Sequence, residues 1–319
     1  MNRIKLPHPY IVAPLAGITD YPFRTILRKY TSGLIHTEMI TASSIIHNMP
    51  RVKKMFDITN DAQPVGIQLV GNDPFTLCKA VDVVGTLNPA LIDLNFSCPV
   101  KKIIKSGAGA ALLLDPDKLF DIAKNVVQIS PVPVSAKIRI GFDENHINGI
   151  EIAKRLEQAG IAMLTVHGRL RSQFYSGEVD LKIIAKIKKE VNIPVIGNGG
   201  LYGAKDVKRM MKTGVDGVQL ATGILRRPWM IRELITGEKI EHPEEELIQL
   251  IEWQYDLFIT YYGERAGIMK MRKFLTYYSR TLPNFDPYVK MIFKSESKQR
   301  IEQILDDYIS TLYQSSGRS

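Results

Sequence analysis

A thiol, an ammonium and two small-residue turns are the features of this sequence that could do chemistry. Cys98 lies in Asn95-Phe96-Ser97-Cys98-Pro99, between an apolar run and a proline, with Lys101 and Lys102 just beyond. A structural cysteine prefers an apolar helix or strand face, which describes Cys78 better. A loop thiol with a reference pKa of about 8.5 is mostly protonated at neutral pH and can give its proton to carbon. Lysines facing it would lower that pKa and weaken the acid, so Lys101 and Lys102 are expected to point outward. The competing reading is a nucleophilic thiolate, which needs a histidine base close by; His167 is two strands away. Lys137 sits in the apolar run Val134-Ser135-Ala136-Lys137-Ile138. A buried ammonium needs an anion or strong acceptor, either a core carboxylate or a bound ligand. The turns Asn198-Gly199-Gly200 and Ala221-Thr222-Gly223 carry small residues that let backbone N–H groups approach an anion.

These residues are far apart in sequence, so a scaffold must gather them. Short apolar runs read as strands near Ile11–Ala13, Leu34–Glu38, Val65–Val70, Leu91–Asn95, Val134–Ile138, Ala162–Val166, Pro194–Gly197 and Gly217–Leu220. Amphipathic stretches between them read as helices, among them Pro74–Val83, Asp117–Ile129, Ile147–Ala159, Leu181–Glu190 and Ala204–Lys212. Strands apolar on both faces belong to a parallel sheet covered by helices. Eight such alternations predict an α/β fold, a (β/α)₈ TIM barrel of about 250 residues. A doubly wound open sheet is the alternative, but no G-x-G-x-x-G follows the first strand. In a barrel the active site lies at the C-terminal ends of the strands, with phosphate usually bound after strands seven and eight. Gln68, Asn95, Cys98, Lys137, Arg139, His167, Arg169 and both small-residue turns fall at such ends. Residues 1–240 are read as the barrel and 241–319 as a small C-terminal all-α domain. That domain is entered at His242-Pro243-Glu244-Glu245-Glu246 and broken at Gly263, at Pro283 and near Pro287.

Bulk properties narrow the function classes. The 319 residues are 45% hydrophobic and 24% charged, ordinary for a globular protein able to bury a large core. The two cysteines lack metal-ligand spacing, so no metal is expected. The N-terminal segment has no apolar signal region, and no stretch approaches the ~18 apolar residues of a spanning helix. A cytoplasmic protein is expected, with no membrane association and no obligate protein partner. The formal charge of +9 favours a polyanionic partner. Residues 265–300 hold nine Lys and Arg against two acids, with Tyr277, Tyr278 and Tyr288 interleaved. That segment is either a solvated helix face or a surface for nucleic-acid phosphates and bases.

With the strands placed, one partner that suits Lys137 is a reduced flavin, negative near N1 and its C2 carbonyl. The Gln68 amide and His167 could address the same ring. Several segments then resemble the tRNA-dihydrouridine synthase family, FMN-dependent TIM-barrel reductases. They are Ala13 to Asp20 with Pro22-Phe23-Arg24, Gln68 to Gly71, Asp93 to Lys102, Lys105 to Leu113, Lys137 to Gly141, and His167-Gly168-Arg169 with Gln173, Tyr175 and Gly177. Arg227-Pro228-Trp229, Tyr262-Gly263 and Met271-Arg272-Lys273 with Tyr277-Tyr278 extend the likeness into the tail. The resemblance implies FMN at the top of the barrel, contacted by Pro14, Leu15, Ala16, Gln68, Lys137, His167, Asn198, Gly199, Gly200, Ala221 and Thr222. It implies NADPH as electron donor and a tRNA uridine flipped out of its stack. Hydride would pass from flavin N5 to uracil C6, with Cys98 protonating C5. Asn95 would help hold the base. Lys101, Lys102, Arg139, Arg169, Arg272 and Lys273 would contact substrate or RNA.

The sequence departs from the family at three points. Ser97 stands where glycine is usual, Gly200 where an acid is usual, and Ala221-Thr222 where Gly-Arg is usual. The missing arginine leaves the Thr222 hydroxyl and backbone amides to meet a phosphate. Asn95-Phe96-Ser97-Cys98-Pro99 and Gly199-Gly200-Leu201 also resemble dihydroorotate dehydrogenases, FMN barrels acting on a free pyrimidine. A flavin-free RNA-binding barrel is the third reading. The His-Gly-Arg segment, the paired lysines and the basic tail favour the tRNA enzyme.

Overall fold

A computed structural model of the chain describes residue 4 and residues 6–316. Eight strands close into one barrel: β1 (Tyr10–Val12), β2 (Ile35–Thr41), β3 (Val65–Val70), β4 (Leu91–Phe96), β5 (Val134–Arg139), β6 (Met163–His167), β7 (Val195–Asn198) and β8 (Gly217–Leu220). Every pairing is parallel, including the closing pair β1–β8. This is the predicted (β/α)₈ architecture. β2 runs on to Thr41, beyond the expected Glu38, because the register shifts between His36 and Met39 and lets the strand continue.

The helices around the barrel are α1 (Tyr21–Arg28), α2 (Ala42–His47), α3 (Met49–Phe56), α4 (Pro74–Gly85), α5 (Lys101–Lys105), α6 (Pro116–Ile129), α7 (Gly149–Gln158), α8 (Leu181–Glu190) and α9 (Ala204–Met211). Their starts are chemically marked. Asp20, Asp73, Asp115 and Asp180 each accept a backbone N–H from the first turn of α1, α4, α6 and α8. Arg24 on α1 is fully buried. It forms a forked pair with Asp61, Nε at 2.8 Å and Nη2 at 2.6 Å, while Nη1 donates to Thr19 O at 2.8 Å. The Pro-Phe-Arg segment therefore fixes the turn that follows β1.

Above the barrel's apolar base, the pairing register stacks the inward side chains in layers of four drawn from alternate strands. Ile11, Leu34, Leu91, Met163 and Ile196 form an apolar floor, covered by Ile4, Leu6 and Ala90. Above it β2, β4, β6 and β8 contribute His36, Asp93, Thr165 and Gln219, all buried. The next layer holds Ala13, Gln68, Lys137 and Asn198, and the rim holds Glu38, Asn95, His167 and Ala221. The interior thus turns from hydrocarbon to polar groups towards the C-terminal ends of the strands, where an active site belongs.

Compact packing divides the chain after Ala221 rather than at 240. The short helices α10 (Thr222–Arg226) and α11 (Met230–Thr236) belong to the second unit, α10 packing on α13 (Glu264–Tyr278). α12 (Pro243–Tyr262), α14 (Asp286–Phe293) and α15 (Lys298–Ser316) complete that unit. Pro243 and three glutamates open α12, as the sequence predicts. Pro287 opens α14 instead of ending a helix, since a first-turn proline loses no internal hydrogen bond.

Candidate active site

The loop that carries Cys98 is held by a relay of side chains. Asn95 Oδ1 accepts the backbone N–H groups of Ser97 at 2.9 Å and Cys98 at 2.8 Å, which turns the chain off β4. Asn95 Nδ2 donates to Gln68 Oε1 at 2.8 Å, and Gln68 Nε2 donates to Asp93 Oδ2 at 2.6 Å. Ser135 Oγ donates to the other Asp93 oxygen at 2.6 Å. On the far side of the loop, Gly109 has φ +61°, and a Cβ there would lie 3.1 Å from Cys98 Cβ. Arg139 completes the clamp, Nε donating to Ser97 O and Nη1 to Leu170 O, each at 2.9 Å. It is 1% exposed. Arg139, expected at the substrate, ties the loops after β4 and β6 together through its guanidinium.

Cys98 is 8% exposed. Burial pushes its thiol pKa up, against smaller lowering effects from the Val100 backbone N–H, Arg139 and Lys137. The group is a thiol at neutral pH, suited to giving a proton. Lys101 and Lys102 are exposed on α5 and do not act on it, in keeping with their expected outward orientation. The thiolate reading finds no support, because the ring of His167 meets Arg169 Nη1, at 3.4 Å, rather than Cys98.

Lys137 is a buried ammonium with little to compensate it. Its Nζ donates to Asn198 Oδ1 at 3.0 Å and it makes no ion pair among the described residues. Burial lowers its pKa to about 7, with Arg139 pushing the same way and Asp93 and Cys98 opposing. The core salt bridge considered from sequence is absent; a neutral amide takes its place. Asn198 is held in turn by its Nδ2 donating to Gln219 O at 2.8 Å. Burial, then Lys137, Arg139 and Arg169, keep His167 well below its usual pKa, so its imidazole is neutral. Its Nε2 faces Arg169 Nη1, which leaves the proton on Nδ1. Gly199 and Gly200 follow at φ +106° and +67°, and a Cβ on Gly199 would lie 3.0 Å from the His167 ring. Two glycines are therefore required where the backbone passes the imidazole.

The sequence profile of the family described as "Dihydrouridine synthase (Dus)" matches residues 11–313. The chain belongs to the dihydrouridine synthase family. A probable tRNA-dihydrouridine synthase of Rickettsia conorii is 35% identical over 291 residues, covering 89% of this chain and 88% of its own. The tRNA-dihydrouridine synthase B of Pseudomonas aeruginosa is 37% identical, covering 87% and 86%. A probable tRNA-dihydrouridine synthase 1 of Synechocystis is 35% identical, covering 98% and 89%.

The remaining expected residues of this dihydrouridine synthase family member are dispersed. Pro14 and Leu15 are half-buried and Ala16 exposed after β1, and Thr19 Oγ1 pins the turn by accepting from Leu15 N at 3.0 Å. Arg169 is buried, its Nε donating to Gly177 O at 2.9 Å. With Arg209, Gly199 and Gly200 it lines a cavity of about 160 Å³. Ala221 closes the barrel unit, whereas Thr222 opens α10 in the helical unit. There Lys273 is exposed, and Arg272 is half-buried with its guanidinium 5.9 Å from the Phe293 ring centre. Tyr278, expected among the interleaved aromatics, is fully buried and donates to Gln254 Oε1 at 2.7 Å. Lys298 is paired with Asp256 and Glu302. Asp93 and Tyr175 belong to the segments that carry the family likeness, but sequence alone assigns neither a role. Asp93 could have been given one, as an acid two residues before Asn95 on an otherwise apolar strand. Tyr175 lies 66% exposed with its ring centre 5.6 Å from the Arg139 guanidinium, a position only the structure reveals.

Proposed function

We propose that this protein is a tRNA-dihydrouridine synthase that reduces the C5–C6 double bond of uridines in tRNA, with bound FMN and NADPH as electron donor. The observation that carries the reading is a buried, protonated thiol on a loop braced to a layer whose lysine lacks an anion. That lysine suits an electron-rich flavin edge, and Gly199-Gly200 suits a backbone approach to its phosphate-bearing chain. FMN, when bound, supplies a hydride to C6 of the uracil ring.

The protein's own groups do the rest. Lys137 donates to the accepting edge of the cofactor; its charged form is favoured when negative charge grows there. Gln68 keeps one amide N–H beyond its bond to Asp93, and His167 keeps its Nδ1–H, so both can donate to the ring or the base. Asn95 spends its carbonyl on the Cys98 loop and one amide N–H on Gln68, which leaves the other N–H for a uracil carbonyl. The Cys98 thiol gives its proton to C5 from the face opposite the cofactor. Arg139 holds the sulfur at that height. Exposed Lys101, Lys102, Lys273, Arg280, Lys290 and Lys294 supply charge for RNA phosphates. Such an enzyme works in the cytoplasm, where tRNA and NADPH are both available. Among the described residues no helix is long and apolar enough to cross a membrane.

The test is dihydrouridine formation in unmodified tRNA by the purified protein with FMN and NADPH. Product dependent on all three supports the reading. A preparation that cannot be loaded with FMN, or one that turns over free dihydroorotate and leaves tRNA untouched, overturns it.

A further inference from the structure

The barrel layer beneath Lys137 contains polar atoms that no protein group satisfies. His36 Nδ1 donates to Val12 O at 2.9 Å. That bond fixes the tautomer and leaves Nε2 as a bare acceptor. Nε2 is sealed from solvent and no protein donor reaches it. Gln219 is 1% exposed, and neither its Oε1 nor its Nε2 has a partner in the protein. Asp93, in the same layer, is already committed at both oxygens. Buried polar atoms are nearly always paired, and where protein groups are lacking an internal water making about three bonds takes their place. The apolar floor of Ile11, Leu34, Leu91, Met163 and Ile196 closes the layer from below. Its polar continuation is upward, to Lys137 and Asn198.

We infer that His36 and Gln219 form an internal water site, and that its water carries a proton between Lys137 and His36. In that step the water accepts a proton from the Lys137 ammonium and gives another to His36 Nε2, or the reverse. Charge and atoms balance within the barrel, and no proton need enter through the mouth while substrate covers it. The titratable and charged groups facing Lys137 are Asp93 on β4, Cys98 beyond it, Arg139 on its own strand, His36 on β2 and His167 on β6. Asp93 favours a proton on either partner, and burial disfavours it on both, with Lys137 brought down to about 7. The role assigned to this proton rests on the proposed flavin chemistry; the water site itself does not.

Gln219→Met keeps the length of the side chain and removes the amide. FMN affinity of the purified full chain and of the variant is titrated by fluorescence across pH 5.5 to 8.5. Their ratio cancels the ionisation of the FMN phosphate. Loss of hydration disfavours the lysine charge, and a fall of about one pH unit in its pKa is expected. The variant should bind within about twofold of the unaltered protein at pH 6 and below, and about eight- to tenfold more weakly above pH 7.5. A ratio that stays flat with pH overturns the relay. The second measurement is a crystal structure of the unaltered protein at a resolution that shows water. Ordered water within hydrogen-bonding distance of His36 Nε2 and the Gln219 amide supports the site. A dry layer there overturns it, whether or not the protein makes dihydrouridine. Failure of FMN to bind either form counts against the proposed function, and the crystal structure then decides the water site alone.

Discussion

Replacing Lys137 by methionine should make the flavin-free protein more stable and the cofactor site worse. The lysine titrates at about 7 in the fold and at about 10.4 in an unfolded chain. Between those values the unfolded state binds more protons, so stability rises with pH across this window. The full cost of burying the charge is present below pH 7. It amounts to on the order of 5 kcal/mol at about 1.4 kcal/mol per pH unit. Lys137→Met removes that cost but also the charge-assisted bond to Asn198, worth about 1.5 to 3 kcal/mol. A net gain of roughly 2 to 3 kcal/mol follows at pH 6 to 7, or on the order of 5 to 10 °C for a unit of this size. The gap should close as pH approaches 10. Melting curves of both proteins from pH 6 to 10, with FMN titrations alongside, measure it. A variant less stable at pH 7, or a gap independent of pH, would refute the account of an uncompensated ammonium. So would unchanged FMN affinity, because the lysine would then have no anion to meet.

Cys98→Ala should keep FMN binding and NADPH oxidation while dihydrouridine formation falls about 10²- to 10⁴-fold, the usual worth of a general acid; full product yield removes Cys98 from its role. Because burial raises the thiol pKa, single-turnover rates of the unaltered protein should hold through pH 8 and decline only above the ordinary thiol range, and a decline centred near pH 7 contradicts this. Arg139→Lys keeps the charge but cannot reach both Ser97 O and Leu170 O; product formation should fall with FMN affinity retained, and an unchanged rate means the clamp is dispensable. Changing Arg272 and Lys273 together to alanine should weaken tRNA binding and flatten its dependence on salt by about 0.7 to 0.9 in log–log slope for each phosphate no longer neutralised. An unchanged slope marks that helix face as merely solvated.

The barrel was legible because each strand carries its own signal. Val65–Val70 and Gly217–Leu220 are apolar runs whose limits coincide with the observed strands. Parallel pairing needs no turn chemistry to set it once helices of the right length separate the runs. The gathering of Gln68, Asn95, Lys137, His167 and Asn198 at one end follows from the same argument, since each stands near the C-terminal end of its strand. What could not be read is which partner each side chain chooses. Lys137 next to an amide and Lys137 next to a carboxylate are the same sequence, and only the register that sets Asn198 across from His167 decides. That Arg139 also braces two loops is invisible until its two carbonyl acceptors are seen. Pro287 reads as a break because a proline inside a helical pattern and a proline at a helix start differ only in where the preceding helix ends.

The electrostatics of the barrel top bear on the order of events. Lys137, Arg139 and Arg169 are buried and all act on His167, and the carboxylate acting on Lys137 is Asp93. Asp93 is consumed by Gln68 and Ser135, so its charge is spread into the relay that braces Cys98. Burial first, and then this cluster of cations, holds His167 neutral, because a further proton there would be both poorly solvated and repelled by Lys137, Arg139 and Arg169. The cluster also draws the Cys98 thiol down, yet burial outweighs that pull. A single arrangement therefore keeps an imidazole unprotonated and a thiol protonated, with a lysine between them poised to change. An anion arriving beside Lys137 would raise the proton affinity of all three groups at once. On this reasoning cofactor binding should strengthen Cys98's hold on its proton and not trigger its release. A maleimide-type probe, which needs the thiolate, should accordingly react more slowly with Cys98 at pH 8 when the bound FMN is reduced, and so negative near N1, than when it is oxidised and neutral there. Both redox forms cover the thiol alike, so steric protection cancels in the comparison and only the change of charge beside Lys137 is read. Equal rates with the two forms would mean that charge at the ring edge does not reach the thiol, and the claim about Lys137 would fall.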